Sequence, residues 1–139
     1  MFTHSDKFQI TELMLALEDF PVISENTILK EALDEMDKFH LGVACIIDFK
    51  GQLLGIITDG DIRRKLSLVQ KPLSYFFMDD VILHAIGNPV TIIKETSLTE
   101  AINLMYKKKI WDLPVIEDNR LVGLLHMHSV AHALINTNQ

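Results

Sequence analysis

Residues 27–36, Thr27-Ile28-Leu29-Lys30-Glu31-Ala32-Leu33-Asp34-Glu35-Met36, decide the fold, because the chain writes their pattern twice. Leu29, Ala32, Leu33 and Met36 recur as Leu98, Ala101, Ile102 and Met105, each displaced by 69 positions. Within each copy the spacing is i, i+3, i+4, i+7. That lays the apolar side chains along one stripe of an amphipathic helix and leaves Lys30, Glu31, Asp34 and Glu35 to water in the first copy. Thr27 and Thr96 stand where N-caps belong, and Ser97 with Glu100 offers a capping box in the second copy.

Working outward, the same displacement carries Ala44-Cys45-Ile46-Ile47 onto Leu113-Pro114-Val115-Ile116, two apolar runs of buried-strand type. Pro114 is expected at an edge or strand entry, since it has no N–H for a ladder. Leu53 to Ile57 maps onto Leu121 to Leu125 at a displacement of 68, so one residue is lost between the runs. The loss falls where a hairpin turn tolerates it. Short first strands are predicted near Pro21 to Ile23 and Val90 to Ile93, and closing helices from about Asp61 to Val69 and Ser129 to Asn136. Each copy thus reads β-α-β-β-α, and the fold class is α/β of the α+β type. A unit of about fifty residues buries too little surface alone, so the two repeats are expected to pack sheet to sheet about a pseudo-twofold axis. The predicted order is a lead-in helix within residues 1–20, a first repeat over 21–69, a connector over 70–88 and a second repeat over 89–139. Ile10 to Leu17 and the aromatic stretch Tyr75-Phe76-Phe77-Met78 give each repeat its own preceding packing helix. The aromatics read as core or as an interface with a second copy.

Composition narrows the function. With 48% apolar and 23% charged residues, the 139-residue chain has a globular balance. Thirteen Lys plus Arg against nineteen Asp plus Glu leave a formal charge of −6, so no overall positive field exists to hold nucleic acid. Any phosphate must be met locally. The longest uncharged stretch, Val81 to Ile93, is too short to span a bilayer and is broken by Gly87, Asn88 and Pro89. The start, Met1 to Asp6, lacks a basic region followed by an apolar run, and a cytoplasmic protein is expected. A single cysteine, Cys45, forbids an intramolecular disulfide and reads as a small buried hydrophobe.

The order, spacing and duplication of the Ala32/Met36 helix, the strand pair at Gly55 and Gly123, and Gly55-Ile56-Ile57-Thr58-Asp59-Gly60-Asp61-Ile62 resemble a tandem pair of cystathionine-β-synthase (CBS) domains over residues 21 to about 135. Leu41-Gly42-Val43, Thr58 to Arg64, Ala101 to Met105 and Gly123-Leu124-Leu125-His126-Met127-His128 are most similar to the C-terminal CBS pair of D-arabinose-5-phosphate isomerases. CBS pairs of sugar-nucleotide transferases share the Asp59 to Arg64 string. The isomerase domain that such a resemblance implies would lie N-terminal to this sequence.

The resemblance implies a non-enzymatic regulatory module that binds a nucleotide between its repeats, with AMP, ATP or a CMP-type nucleotide sugar as candidate ligands and no cofactor required. A homodimer and a regulated enzyme partner are further implications. Asp61, expected at a cleft rim, would accept hydrogen bonds from a ribose diol. Thr58 would contact phosphate or ribose, and Arg63 and Arg64 would add positive charge in the first turn of a helix. The alternative is that Asp59 or Asp61 caps that helix while the arginines sit in solvent. By the same analogy the other repeat would contribute Val90, Thr91, Ile92, Ile110, Trp111 and Asp112, with Trp111 stacking on a base and Asp112 accepting a hydrogen bond; partial burial of Trp111 at an interface is the other reading. In the second copy His126 replaces Thr58 and Ser129 replaces Asp61, so only one good site is expected. His128 and His132 are spaced i, i+4, but no nearby carboxylate or cysteine completes a metal set with His126, and no metal site is assigned. Lys107-Lys108-Lys109 reads as a solvated helix end. A ligand-free interaction module, or the regulatory part of an isomerase or transferase, is the competing function.

Overall fold

The computed structural model describes residues 7–136. Both copies of the repeated stripe form helices, α2 (Leu29–Phe39) and α5 (Leu98–Lys108). Of the four positions the spacing selects in each copy, three are buried, Leu29, Ala32 and Met36 in one and Leu98, Ala101 and Met105 in the other, with Leu33 and Ile102 half-buried. Around them run α1 (Ile10–Leu13), β1 (Val22–Ser24), β2 (Val43–Ile47), β3 (Leu53–Thr58), α3 (Asp59–Leu66), α4 (Leu73–Phe77), β4 (Asp112–Glu117), β5 (Arg120–His126) and α6 (Met127–Asn136).

The first helix starts one residue later than Thr27 implies, and the second takes the alternative cap, Ser97. Ile28 and Ser97 occupy the cap positions, and Thr27 and Thr96 lie just outside. Ser97 Oγ accepts the Glu100 N–H at 3.1 Å, as its half of the capping box requires. Ile28 has no side-chain acceptor; instead Glu31 Oε1 accepts the Ile28 N–H at 3.3 Å. Both helices end on a left-handed residue, His40 (φ 55°) and Lys109 (φ 57°), and the next N–H, of Leu41 or Ile110, returns to the Met36 or Met105 carbonyl at 3.0 Å.

In the first copy β1 pairs parallel with β2, and β2 antiparallel with β3. In the second, β4 and β5 form the antiparallel pair, but the strand expected near Val90 to Ile93 is only a bridge between Ile92 and Val115. Pro114 supplies the reason. It takes the place of Cys45, whose N–H donates to the Pro21 carbonyl at 3.0 Å, and a proline has no N–H to donate to Val90. Pro114 is on an edge strand, as expected, though inside β4 and not at its entry, with its donor-less side toward the segment whose ladder it shortens. The lost residue does fall in the turn. Asp118 (φ 51°) and Asn119 (φ 65°) make a two-residue turn with both positions left-handed, whereas the longer first turn places Gly51 at φ 84° and has Asp48 Oδ1 accept the Lys50 and Gln52 N–H groups.

Two compact units result, and they do not follow the linear order of the repeats. One is continuous, Leu17–Pro89; the other joins the residues up to Ala16 to those from Val90 onward. The expectation that each repeat packs against its own preceding helix is therefore corrected: the lead-in of the first repeat completes the second, and the connector completes the first. Ile10, fully buried, belongs to the core of Leu98, Met105, Leu113 and Leu125. Val81, also fully buried, belongs to that of Leu29, Met36, Ile46 and Phe76. Each segment then pairs with a hairpin edge, Leu15 with Leu124 (2.8 and 3.1 Å) and Ile86 with Ile56 (2.9 and 3.1 Å). The close approach is made over a glycine. A Cβ on Gly123 would lie 2.5 Å from Met14 Sδ and 3.0 Å from the Leu15 carbonyl oxygen, and one on Gly55 would lie 2.9 Å from the Ile86 carbonyl oxygen. The lead-in helix is itself only four residues, and of the connector aromatics Phe76 alone is buried.

The connector is pinned by charge as well. Asp79 accepts both carboxylate contacts of Lys71 Nζ (2.8 Å) and pairs with His84 Nε2 at 2.9 Å, while the His84 ring packs edge-on against Phe76. The hydrogen bond from Lys71, then that from His84, holds the Asp79 carboxyl below its ordinary value. A depressed carboxyl stabilises the fold above its unfolded pKa and loses that contribution as pH falls through the folded value. Asp79→Asn is therefore expected to flatten the acid limb of a stability-against-pH curve below about pH 4, measured by urea denaturation; an unchanged limb would remove this group from the acid response. Gly55→Ala and Gly123→Ala are expected to cost about 1–3 kcal/mol each by overpacking, with Gly87→Ala, whose Cβ would meet nothing within 4 Å, as the tolerated comparison. Equal denaturation midpoints for the three would refute the close-approach account.

Candidate functional site

Strand β3 delivers Thr58 to the start of α3, where it is the N-cap. Its Oγ1 accepts the Asp61 N–H at 3.2 Å, and Asp61 Oδ2 accepts both the Thr58 N–H and the Thr58 hydroxyl at 3.0 Å. Asp61 Oδ1 accepts from Arg64 Nη2 at 2.8 Å. The carboxylate is buried, 9% exposed, so the rim position expected for it is corrected: it is the reciprocal member of a capping box, tied to the chain on both oxygens. Of the two readings the sequence sets against each other, the structure shows Asp61 taking part in the helix cap. An ionised carboxylate offers about four lone-pair sites, and the chain itself uses most of them.

The arginines divide. Arg64 is the ion-pair partner and keeps a 61% exposed side chain, and Arg63 is exposed on the same helix. Thr58, Asp61 and Arg64 are thus linked at the head of α3, with Arg64 reaching back from the last turn, where both arginines lie instead of in the first turn expected for them. A separate hollow of about 540 Å³ in the same unit is lined by Ser24, Thr27, Glu31, Asp34 and Glu35 with Val22 and Ile23. Its carboxylates disfavour an anion, and none of residues 58–64 line it.

In the other unit Trp111, Asp112 and Ile110 stand where α5 gives way to β4. Trp111 is 66% exposed in the single chain. Its carbonyl accepts the Met127 N–H at 2.9 Å, as the Gly42 carbonyl accepts that of Asp59 in the first copy. Asp112 is buried, and its Oδ1 pairs with His126 Nδ1 at 2.5 Å, the His126 ring also meeting that of His128 edge-on. The capping box of the first copy is replaced here by a strand-to-strand acid–histidine pair. Sequence reasoning placed Asp112 toward a ligand and missed this partner. The signal was available: the hairpin alignment that pairs Val43 with Thr58 also pairs Asp112 with His126. Val90 and Thr91 precede the Ile92 bridge and are half-buried. Among the described residues no group of three metal-ligating side chains converges, and His132 Nε2 meets Asn136. No described helix is long and apolar enough to cross a membrane.

A duplicated β-α-β-β-α unit with a polar cluster at one helix head is the architecture of a tandem-repeat regulatory module. The CBS domain family matches residues 10–68 and again 79–136, and the chain belongs to that family. It is 32% identical over 126 residues to an arabinose 5-phosphate isomerase, KdsD, of Pseudomonas aeruginosa, covering 90% of this chain and 37% of that protein. The chain spans little more than a third of the length of the first curated relatives it matches. Its fold matches CBSX2, solved in complex with AMP, with a TM-score of 0.83 at 22% identity over 95% of this chain and 99% of that one. It also matches the CBS pair of MJ0100, solved with 5′-methylthioadenosine and S-adenosyl-L-methionine, with a TM-score of 0.76 at 21% identity over 95% and 98%.

Because Thr58 caps α3, Thr58→Ala is expected to cost about 1 kcal/mol. Asp61→Ala, which strands a backbone donor and an arginine, should cost about 1–3 kcal/mol. Chemical denaturation of both variants checks this, and a wild-type midpoint for Asp61→Ala would show the buried carboxylate to be structurally idle.

Proposed function

We propose that this CBS pair senses a ribonucleotide, with Thr58, Asp61, Arg63 and Arg64 as its phosphate- and ribose-binding residues in the first repeat. The observation that carries the reading is the pairing of a buried carboxylate with an exposed guanidinium at the head of α3, an acceptor and a cation within one helical turn of an otherwise acidic protein. Solved members of the fold with AMP and with adenosyl compounds support the ligand class. The candidates are AMP, ATP and a CMP-linked sugar, the last suggested by the isomerase relatives. Val90, Thr91, Ile110, Trp111 and Asp112 of the second repeat are assigned to ligand contact by the same reading, Asp112 in competition with His126.

The module acts by differential affinity: a ligand that favours one arrangement of the chain shifts its population, and a fused or associated enzyme reads the shift. Self-association is part of the proposal, since Leu73, Tyr75, Met78 and Leu83 leave an apolar surface on the connector, each more than half exposed. A ligand-free interaction module is the second reading, favoured by that same surface.

Thermal and chemical denaturation with AMP, ATP, CMP and a CMP-linked sugar tests the choice. A specific ligand at a hundred times its Kd adds about 2.7 kcal/mol, and Trp111→Ala is expected to reduce that gain. No stabilisation by any of the four would leave the interaction reading.

A further inference from the structure

We propose that Arg64 is a latch on Asp61, so that the site admits a ribose only when the same ligand carries a phosphate to receive the displaced guanidinium. The inference rests on the ribonucleotide reading and adds to it a specificity-determining residue. Asp61 Oδ2 already accepts the Thr58 N–H and hydroxyl, and Oδ1 accepts Arg64 Nη2. A ribose diol needs two acceptor sites, and with three donors in place about four lone-pair sites leave only one. One donor must leave. The Thr58 N–H cannot leave without orphaning a backbone donor, and the Thr58 hydroxyl, whose oxygen also accepts the Asp61 N–H, is held in the same cap. Arg64 can, because its side chain is 61% exposed while that of Asp61 is 10% exposed. Gly60 permits the closed position: a Cβ there would lie 3.2 and 3.3 Å from Arg64 Nη1 and Nη2, so the guanidinium rests against bare backbone.

A nucleoside must break the ion pair and returns nothing to the arginine. A nucleotide breaks it and offers the guanidinium a phosphate, which it binds in a charge-assisted and bidentate manner. Diol and phosphate recognition are thereby coupled through one side chain. The second copy has no such device, since Ser129 and His132 stand in place of Asp61 and Arg64.

Calorimetric titration of the full chain with AMP, 2′-deoxy-AMP and adenosine tests the latch. Wild type should bind AMP about a hundredfold more tightly than adenosine. Arg64→Ala should weaken AMP about tenfold, one charge-assisted contact, yet tighten adenosine, so that the ratio collapses. Gly60→Ala, which crowds the closed guanidinium, should also tighten adenosine. Lys65→Ala, which removes an exposed charge of the same sign one residue on, should leave the ratio intact. If adenosine gains nothing from Arg64→Ala while wild type binds AMP, the latch falls and the ribonucleotide reading stands. A ratio that collapses equally in Lys65→Ala assigns the effect to net charge and also overturns it. If wild type binds neither AMP nor 2′-deoxy-AMP, the ribonucleotide reading fails and takes the latch with it.

Discussion

A hairpin and two helices of about fifty residues leave an apolar edge that they cannot cover, and the architecture follows from how that edge is closed. In each unit an incoming segment lies along the open side of the hairpin and exchanges two backbone hydrogen bonds with it, Leu15 with Leu124 and Ile86 with Ile56. The contact is backbone on backbone, so the strand beneath must carry no side chain there, and Gly123 and Gly55 meet that condition. Ile10 and Val81 then fill the two cores from equivalent positions in the incoming segments. The glycines flanked by aliphatic residues are thus a record of where the incoming segment arrives.

The same economy of polar groups governs the head of α3. A carboxylate taken almost wholly out of water has to be satisfied, and Asp61 is, by a backbone N–H, a hydroxyl and a guanidinium. The second copy reaches an equivalent balance by other means, with Asp112 moved to the strand and His126 as its partner. Duplicated backbones therefore carry two different polar solutions at corresponding places. Only the first solution combines its acid with an exposed cation.

The repeat was legible because helix stripes and strand runs are periodic, and Leu29, Ala32 and Met36 with their copies are buried as the period requires. The shortened second turn was legible for the same reason. What escaped was set by single atoms or by tertiary partners. The missing N–H of Pro114 was noticed, but its consequence, a first strand reduced to the Ile92 bridge, depends on which neighbour that N–H would have faced. A helix cap by Asp59 or Asp61 was among the readings, but that Thr58 is the cap and Asp61 its reciprocal partner was not, and periodicity does not report how many acceptor positions a carboxylate has left. The cross-over of the lead-in segments was not legible at all. Ile10 was read as part of a lead-in helix and Val81 only as part of an uncharged stretch, and nothing local distinguishes the core that each will join.

That cross-over has a consequence for synthesis. The unit formed by Leu17–Pro89 is contiguous and can close as soon as its last residue clears the ribosome. Residues 8–16 emerge earlier but have no partner until β5 has been made, so an apolar segment holding Phe8, Ile10, Leu13 and Met14 waits uncovered until then. A segment made before the contiguous unit is thus covered only after it, and during that interval chaperones, or a neighbouring nascent copy, have their readiest hold on it.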